Sequence, residues 1–228
     1  MSIQRALVIG AGSGVGHATA SALTAAGTHV LAVGRERDAT DPAQAAALLE
    51  EADPDLVVVA VGARPRMASI EEHDWESFSE VWNVDVRIAF EVGRAALARP
   101  LRPGSTVLLV SSGAGLRGSP LSGGYAGAKR MQMFLAGYLQ RAADARELGI
   151  RFVAVAPLQF LEGTRIGEAA AAAYSAEAGE SAEAYMKSWP VPLDPAGVAR
   201  AILSIASGEE HREATLLGLT GKGLEAVG

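Results

Sequence analysis

Short apolar runs alternate along this chain with longer stretches in which apolar positions recur three and four residues apart. The runs at residues 6–9, 29–33, 56–61, 106–110, 151–155 and 214–217 predict strands, and the stretches at 14–26, 42–52, 70–98, 122–147 and 195–207 predict helices. Most of the strand runs are apolar throughout rather than every second residue. Such strands are covered on both faces, which implies a parallel sheet between two helix layers, a doubly wound α/β fold of three αβα layers. The helix ends carry their own chemistry. Gly27 follows the first helix as a left-handed terminator, Asp41-Pro42 and Asp194-Pro195 each place a cap before a proline at the first helical position, and Ser69 with Glu72 forms a capping box.

Only eight residues separate Val33 from Pro42. A parallel crossover needs about a dozen or more. The sheet is therefore expected to be abbreviated in its third-strand region, with Asp38-Ala39-Thr40 at most a vestigial strand. No repeat or linker interrupts the pattern, so residues 1–228 read as one domain. The alanine-rich stretch 168–184 predicts a helix or a flap within a segment, 158–192, that would lie as a lid over the carboxyl ends of the strands.

Composition narrows the partners. A formal charge of −6 disfavours nucleic acid or an anionic membrane as the main partner. There is no cysteine, and His17, His29, His73 and His211 have no ligand-like spacing, so no metal site is expected. No apolar stretch approaches the roughly 18 residues of a membrane span, and the expectation is a soluble, cytoplasmic protein.

The stretch VIGAGSGVGHA, residues 8–18, runs from a strand through a glycine-rich turn into a helix. Gly10, Gly14 and Gly16 allow a tight turn and close approach to a pyrophosphate, which the free amides and positive end of the helix would bind. The candidate loop residues are Gly10, Gly12, Ser13, Gly14, Val15 and Gly16. After the second strand, where a carboxylate would read the adenosine ribose hydroxyls, stand Gly34 and Arg35, with Arg37 nearby. An arginine there suits a 2′-phosphate, and NADP(H) is expected in preference to NAD(H).

Tyr125 and Lys129, in the sequence YAGAK, are four residues apart and share one helix face. A phenol beside an ammonium makes a proton donor usable near neutrality. Ser112 ends a strand thirteen residues earlier, and Asn83 lies in WNVD of the preceding long helix. Together with the glycine loop, this set resembles the short-chain dehydrogenase/reductase family over residues 6–157. The resemblance implies a Rossmann fold of compact form and an NAD(P)-dependent oxidoreductase acting on a CH–OH or C=O group. It implies that Tyr125 is the general acid, that Lys129 binds the nicotinamide ribose and lowers the tyrosine pKa, and that Ser112 bonds the substrate oxygen. Asn83 would hold a water in the proton relay. Asp41 matches the family's adenine-contacting acid, unless it serves only as the helix cap. Gly62 and Pro157 match further cofactor-binding positions, as do Tyr125 and Lys129 themselves.

The chain departs from the family at Ile9, where a threonine is usual, at Val59-Ala60, where a pair of asparagines is usual, and at Leu158, where a glycine is usual. These changes concern the nicotinamide half of the site. The lid carries Phe160, Leu161, Tyr174, Tyr185, Met186 and Trp189, which point to a small hydrophobic carbonyl or alcohol substrate, with Glu162 and Arg165 as polar handles. Two other readings stay open: a dinucleotide-binding sensor or scaffold without catalysis, and a non-redox member of the family such as an epimerase or dehydratase. Surplus apolar surface on the helices around 81–96 and 131–139 predicts a homodimer or homotetramer.

Overall fold

The computed structural model describes residues 3–179, 181–186, 189–208 and 211–227, with the side chains of Tyr185 and Met186 outside the description. Seven strands form one sheet: β1 (Arg5–Ile9), β2 (His29–Val33), β3 (Leu56–Val59), β4 (Thr106–Val110), β5 (Arg151–Pro157), β6 (Leu216–Thr220) and β7 (Gly223–Ala226). Their spatial order is β2-β1-β3-β4-β5-β6-β7, parallel throughout except for the β6–β7 hairpin. The expected abbreviation is present. No strand lies between β2 and α2 (Pro42–Ala52) among the described residues, and the chain crosses from the β2 edge past β1 straight to β3.

Alternate residues of each central strand feed two separate cores, as the pleat requires. Leu7, Ile9, Val57, Val59, Val107 and Leu109 face one helix layer. That layer contains α2, α4 (Arg87–Ala98) and α6 (Gly123–Asp144). Ala6, Val8, Leu56, Val58, Leu108 and Val153 face the other, formed by α1 (Gly14–Ala25) and α9 (Pro195–Ser207). The predicted caps form: Asp41 accepts from the Gln44 amide at 2.9 Å, Asp194 from the Gly197 amide at 2.6 Å, and Gly27 has φ of 84°. The Ser69–Glu72 box also forms, but it closes only a short 3₁₀ turn, Ile70–Glu72.

The continuous helix predicted over 70–98 is broken. After the 3₁₀ turn, Asp74 caps a fresh helix, α3 (Trp75–Val81), by accepting from the Ser77 amide at 2.8 Å. Residues Trp82–Val86 then make a π-helical turn before α4. The helix predicted at 122–147 spans Gly123–Asp144. The third strand stops at Val59 rather than 61 because the Ala60 amide makes the last bond, to the Ile9 carbonyl, before the chain leaves the sheet. The sixth strand starts at Leu216 and continues to Thr220, where Gly221-Lys222 turns it into β7, a strand the periodicity does not predict. A short helix, α5 (Ala114–Arg117), follows β4. The lid folds as α7 (Arg165–Ala178) and α8 (Ala182–Met186). Among the described residues no helix is long and apolar enough to cross a membrane.

Candidate active site

At the carboxyl ends of the strands a cleft of about 1520 Å³ runs from the β2 end, across the glycine turn, to the lid. Its floor at one end is the turn between β1 and α1. Helix α1 can start so close to β1 because Gly16 has no side chain: a Cβ there would sit 2.2 Å from the Gly10 carbonyl oxygen. Ser13 occupies the cap position of α1 without bonding its amides, so the first-turn N–H groups have no side-chain partner from that cap. Gly10, Gly12, Ser13, Gly14 and Val15 line the cleft, whereas Gly16 lies behind it as a packing residue. The donor set and the space at Gly12, where a Cβ would meet nothing within 4 Å, fit a pyrophosphate.

At the adenine end Arg35, Arg37 and Asp38 line the cleft. Arg37 is paired with Glu51 at 3.2 Å, while Arg35 makes no ion pair among the described residues. No carboxylate is expected at this strand end, and here the structure differs. Glu36 folds back to accept from the Gly34 amide at 2.6 Å, a bond that holds its carboxyl below the usual range. Asp41 does not line the cleft, and its carboxylate is engaged as the α2 cap. At this end the acidic side chain that lines the cleft is Asp38, which also accepts from the Thr40 hydroxyl and amide.

At the other end Asn83, Ser112, Tyr125 and Lys129 all line the cleft, with Gly62 and Pro157 beside them. Three elements deliver them: the π turn, the end of β4, and α6, two successive turns of which set Tyr125 and Lys129 on one face. The small residues around Tyr125 serve packing. A Cβ on Gly124 would lie 1.7 Å from the Phe78 carbonyl oxygen, so α6 meets α3 backbone to backbone only with glycine there. Of the two serines after β4, Ser111 is committed, donating to the Lys129 carbonyl at 2.7 Å. Ser112 is half-buried, and its oxygen accepts a 3.3 Å contact from the Ala114 amide. Asn83 is exposed, with its amide nitrogen 3.5 Å from the Ser79 hydroxyl.

Lys129 is buried, with its ammonium 5.6 Å from the centre of the Tyr125 ring. Asp85, fully buried and absent from the sequence-derived site, lies 2.9 Å from the Lys129 nitrogen. Burial pulls the lysine pKa down, but the Asp85 carboxylate and the Tyr125 oxygen push it up, and the net direction is above the ordinary lysine value. Lys129 is therefore an ammonium. The signal available in the sequence was an aspartate inside the apolar run VWNVDVRIAF, a placement that burial penalises unless a partner is present.

The lid closes the cleft from above. Phe160 and Tyr174 stack with ring centres 6.1 Å apart, the Tyr174 hydroxyl bonds that of Ser119, and Leu161 and Trp189 complete the apolar wall. Arg165, expected as a substrate handle, instead donates to the Ser13 hydroxyl at 3.1 Å, over the phosphate loop. Glu162 does not line the cleft. Among the described residues no group of three or more His, Asp or Glu side chains is placed to hold a metal ion.

A doubly wound sheet with a glycine turn at the first crossover and an ionisable pair at the far end of one cleft defines a dinucleotide-dependent oxidoreductase of the Rossmann class. Residues 35–212 match the family described as Enoyl-(Acyl carrier protein) reductase. The chain belongs to the short-chain dehydrogenase/reductase family, as an NAD(P)-dependent oxidoreductase. No curated protein matches it by sequence. Among solved structures it is similar to the sorbitol-6-phosphate 2-dehydrogenase of Erwinia amylovora, with a TM-score of 0.77, 22% identity, and coverage of 95% of this chain and 98% of that one. A short-chain dehydrogenase family protein of Francisella tularensis gives a TM-score of 0.76 at 17% identity, covering 96% and 98%. A short-chain dehydrogenase of Burkholderia cenocepacia, solved in complex with NADP, gives 0.75 at 20% identity, covering 96% of each chain. Identities this low speak to the fold alone.

Proposed function

We propose that the protein reduces a small hydrophobic ketone or aldehyde, or oxidises the corresponding alcohol, with NADP(H) as cofactor and Tyr125 as the general acid and base. The observation that carries this reading is the convergence of Tyr125, Ser112, Asn83 and Lys129 on one cleft that also contains the glycine turn. When bound, the cofactor supplies or accepts a hydride. The residues that would hold it are the loop 10–15, Arg35, Gly62, Lys129 and Pro157. Arg165 adds a cation over the same loop, where it donates to the Ser13 hydroxyl.

The chain's own contribution is to orient a carbonyl and to move one proton. Ser112 donates to the substrate oxygen, and Tyr125 donates to the same oxygen as negative charge develops there, so both act most strongly at the transition state. Lys129, held as an ammonium, favours the phenolate left behind. Asn83, at the exposed side of the π turn, faces solvent from which the tyrosine is reprotonated. The apolar lid wall of Phe160, Leu161, Tyr174 and Trp189 excludes water and favours a substrate without charge.

The test is to follow NADPH oxidation across a panel of ketones, aldehydes and quinones. Turnover of at least one small apolar carbonyl is expected. Tight NADPH binding with no turnover on any of them would favour a sensor or scaffold.

We further infer a homodimer or homotetramer. Phe134 and Tyr138 on α6 stack at 5.8 Å while remaining 55% and 56% exposed, and Phe90 on α4 is 45% exposed, which leaves aromatic surface on adjacent helices uncovered. Light scattering at micromolar concentration is expected to give at least twice the chain mass, and a monomer would contradict the inference.

A further inference from the structure

Asp85 is a fully buried acid that the reaction described above does not use. It comes from the π turn, and its two carboxylate oxygens reach different parts of the site. One accepts from the Ala63 amide at 2.9 Å, in the loop that follows β3 along the cofactor cleft. The other lies 2.9 Å from the Lys129 nitrogen. The backbone carbonyl of Asp85 accepts in turn from the buried Gln132 amide at 3.3 Å, one helical turn beyond Lys129 on α6. An ammonium has three protons to donate. The remaining acceptors around Lys129 are the carbonyls of Val61 at 3.3 Å and Val110 at 3.4 Å. The loop itself supplies no polar side chain from Val59 to Ala63. Asp85 is thus the polar link between that loop and the lysine.

We propose that Asp85 is a positioning residue of the catalytic centre, whose carboxylate ties the loop after β3 to Lys129 and keeps the proton of the Tyr125–Lys129 pair in place up to alkaline pH. This rests on the reading of Tyr125 as the acid for carbonyl reduction. The physical argument concerns the pair as a unit. The Lys129 ammonium lies 5.6 Å from the centre of the Tyr125 ring, so loss of a proton from either is a step of the pair. A carboxylate beside them makes every such step harder. Its removal makes the first proton leave at lower pH, whichever of the two releases it, and either loss impairs reduction. The other charged groups on the cleft walls around the pair are Glu80 from α3, Arg64 from the loop after β3, Arg117 from α5 and Arg165 from α7. All four are exposed and screened by solvent, which leaves Asp85 as the dominant buried charge facing the lysine.

The experiment measures kcat/KM for carbonyl reduction against pH in the parent protein, Asp85→Asn and Asp85→Glu. Asparagine keeps an oxygen for the Ala63 amide and loses the charge. Its alkaline limb is expected to move down by about one pH unit or more, while Asp85→Glu, which keeps the charge, stays closer to the parent. An Asp85→Asn limb that coincides with the parent's overturns the proposal, and it does so without touching the role of Tyr125, which is tested by its own variant. A second measurement needs no activity and covers the case in which Asp85→Asn folds poorly. Thermal midpoints are compared for Lys129→Met and for Asp85→Asn combined with Lys129→Met. The single change strands a buried carboxylate, so the double variant is expected to melt at a higher temperature than the single one. A double variant that melts at the same or a lower temperature overturns the proposal.

Discussion

Turnover of Tyr125→Phe is expected to fall by a factor on the order of 10² to 10⁴, the range that a positioned general acid contributes. Phenylalanine keeps the ring and its contacts along α6 and removes only the hydroxyl. The Lys129 ammonium, 5.6 Å from the ring centre, keeps its place over the ring in the variant. Cofactor affinity is expected to change little, because the phosphate loop and Arg35 lie at the other end of the cleft. Steady-state kinetics with calorimetric titration of NADPH separate the two. Unchanged turnover on an accepted substrate would remove Tyr125 from the mechanism, and lost cofactor binding would make the tyrosine a binding residue instead.

Preference for NADPH over NADH is expected at about 10- to 150-fold. Arg35 lines the cleft at the β2 end, where the adenosine ribose would lie, and it is not engaged in an ion pair among the described residues. A charge-assisted contact with the 2′-phosphate contributes roughly 1.5 to 3 kcal/mol, and each 1.4 kcal/mol is about tenfold in affinity. Glu36, ionised on the Gly34 amide, and Asp38, which lines the same end of the cleft, repel a phosphate and set the preference toward the lower end of this range. Arg37 contributes less because Glu51 already neutralises it. Arg35→Ala is expected to erase most of the preference. Equal affinities for the two cofactors in the parent protein, or tighter NADH, would show that Arg35 does not read the phosphate.

Much of the architecture is legible in the chain because its strands are continuous apolar runs flanked by capping residues. Hydrophobic burial and helix caps are local properties, and Asp41, Asp194 and Gly27 act in the fold as their sequence contexts predict. Features that depend on tertiary packing are less legible. The π turn at Trp82–Val86 has no periodic signature, and it is this turn that sends Asn83 to the cleft and Asp85 into the core. The break before Trp75 was marked in the sequence by Asp74 followed three residues later by Ser77, but the capping box just upstream competes for the same reading. The β6–β7 hairpin was marked by the Gly221-Lys222 turn, and β7 is too short and too exposed to show alternation. Glu36 escaped because an exposed carboxylate folding back on an amide two residues earlier is a local choice that periodicity does not encode.

The site shows the same division. The glycine turn, Ser112, Tyr125 and Lys129 were found from residue type and spacing, and they share one cleft. Asp41 and Gly16 belong instead to the frame that shapes it. The position of Arg165 over the phosphate loop and the whole of Asp85's role are not legible in the chain, because their partners, Ser13 and Lys129, are far away in sequence and close only in the fold.

The central claim, that one cleft brings a reduced nicotinamide and a proton-donating tyrosine to the same carbonyl, is tested most directly by label transfer. The protein is incubated with NADPH carrying deuterium at the transferring position and with each carbonyl of the panel, and the products are analysed by mass spectrometry. The account predicts deuterium on the carbinol carbon of at least one small apolar product, formed by the parent protein and reduced by about 10²-fold or more in Tyr125→Phe. NADPH that binds tightly while no product acquires the label, or label transfer that proceeds equally well without the Tyr125 hydroxyl, would contradict it.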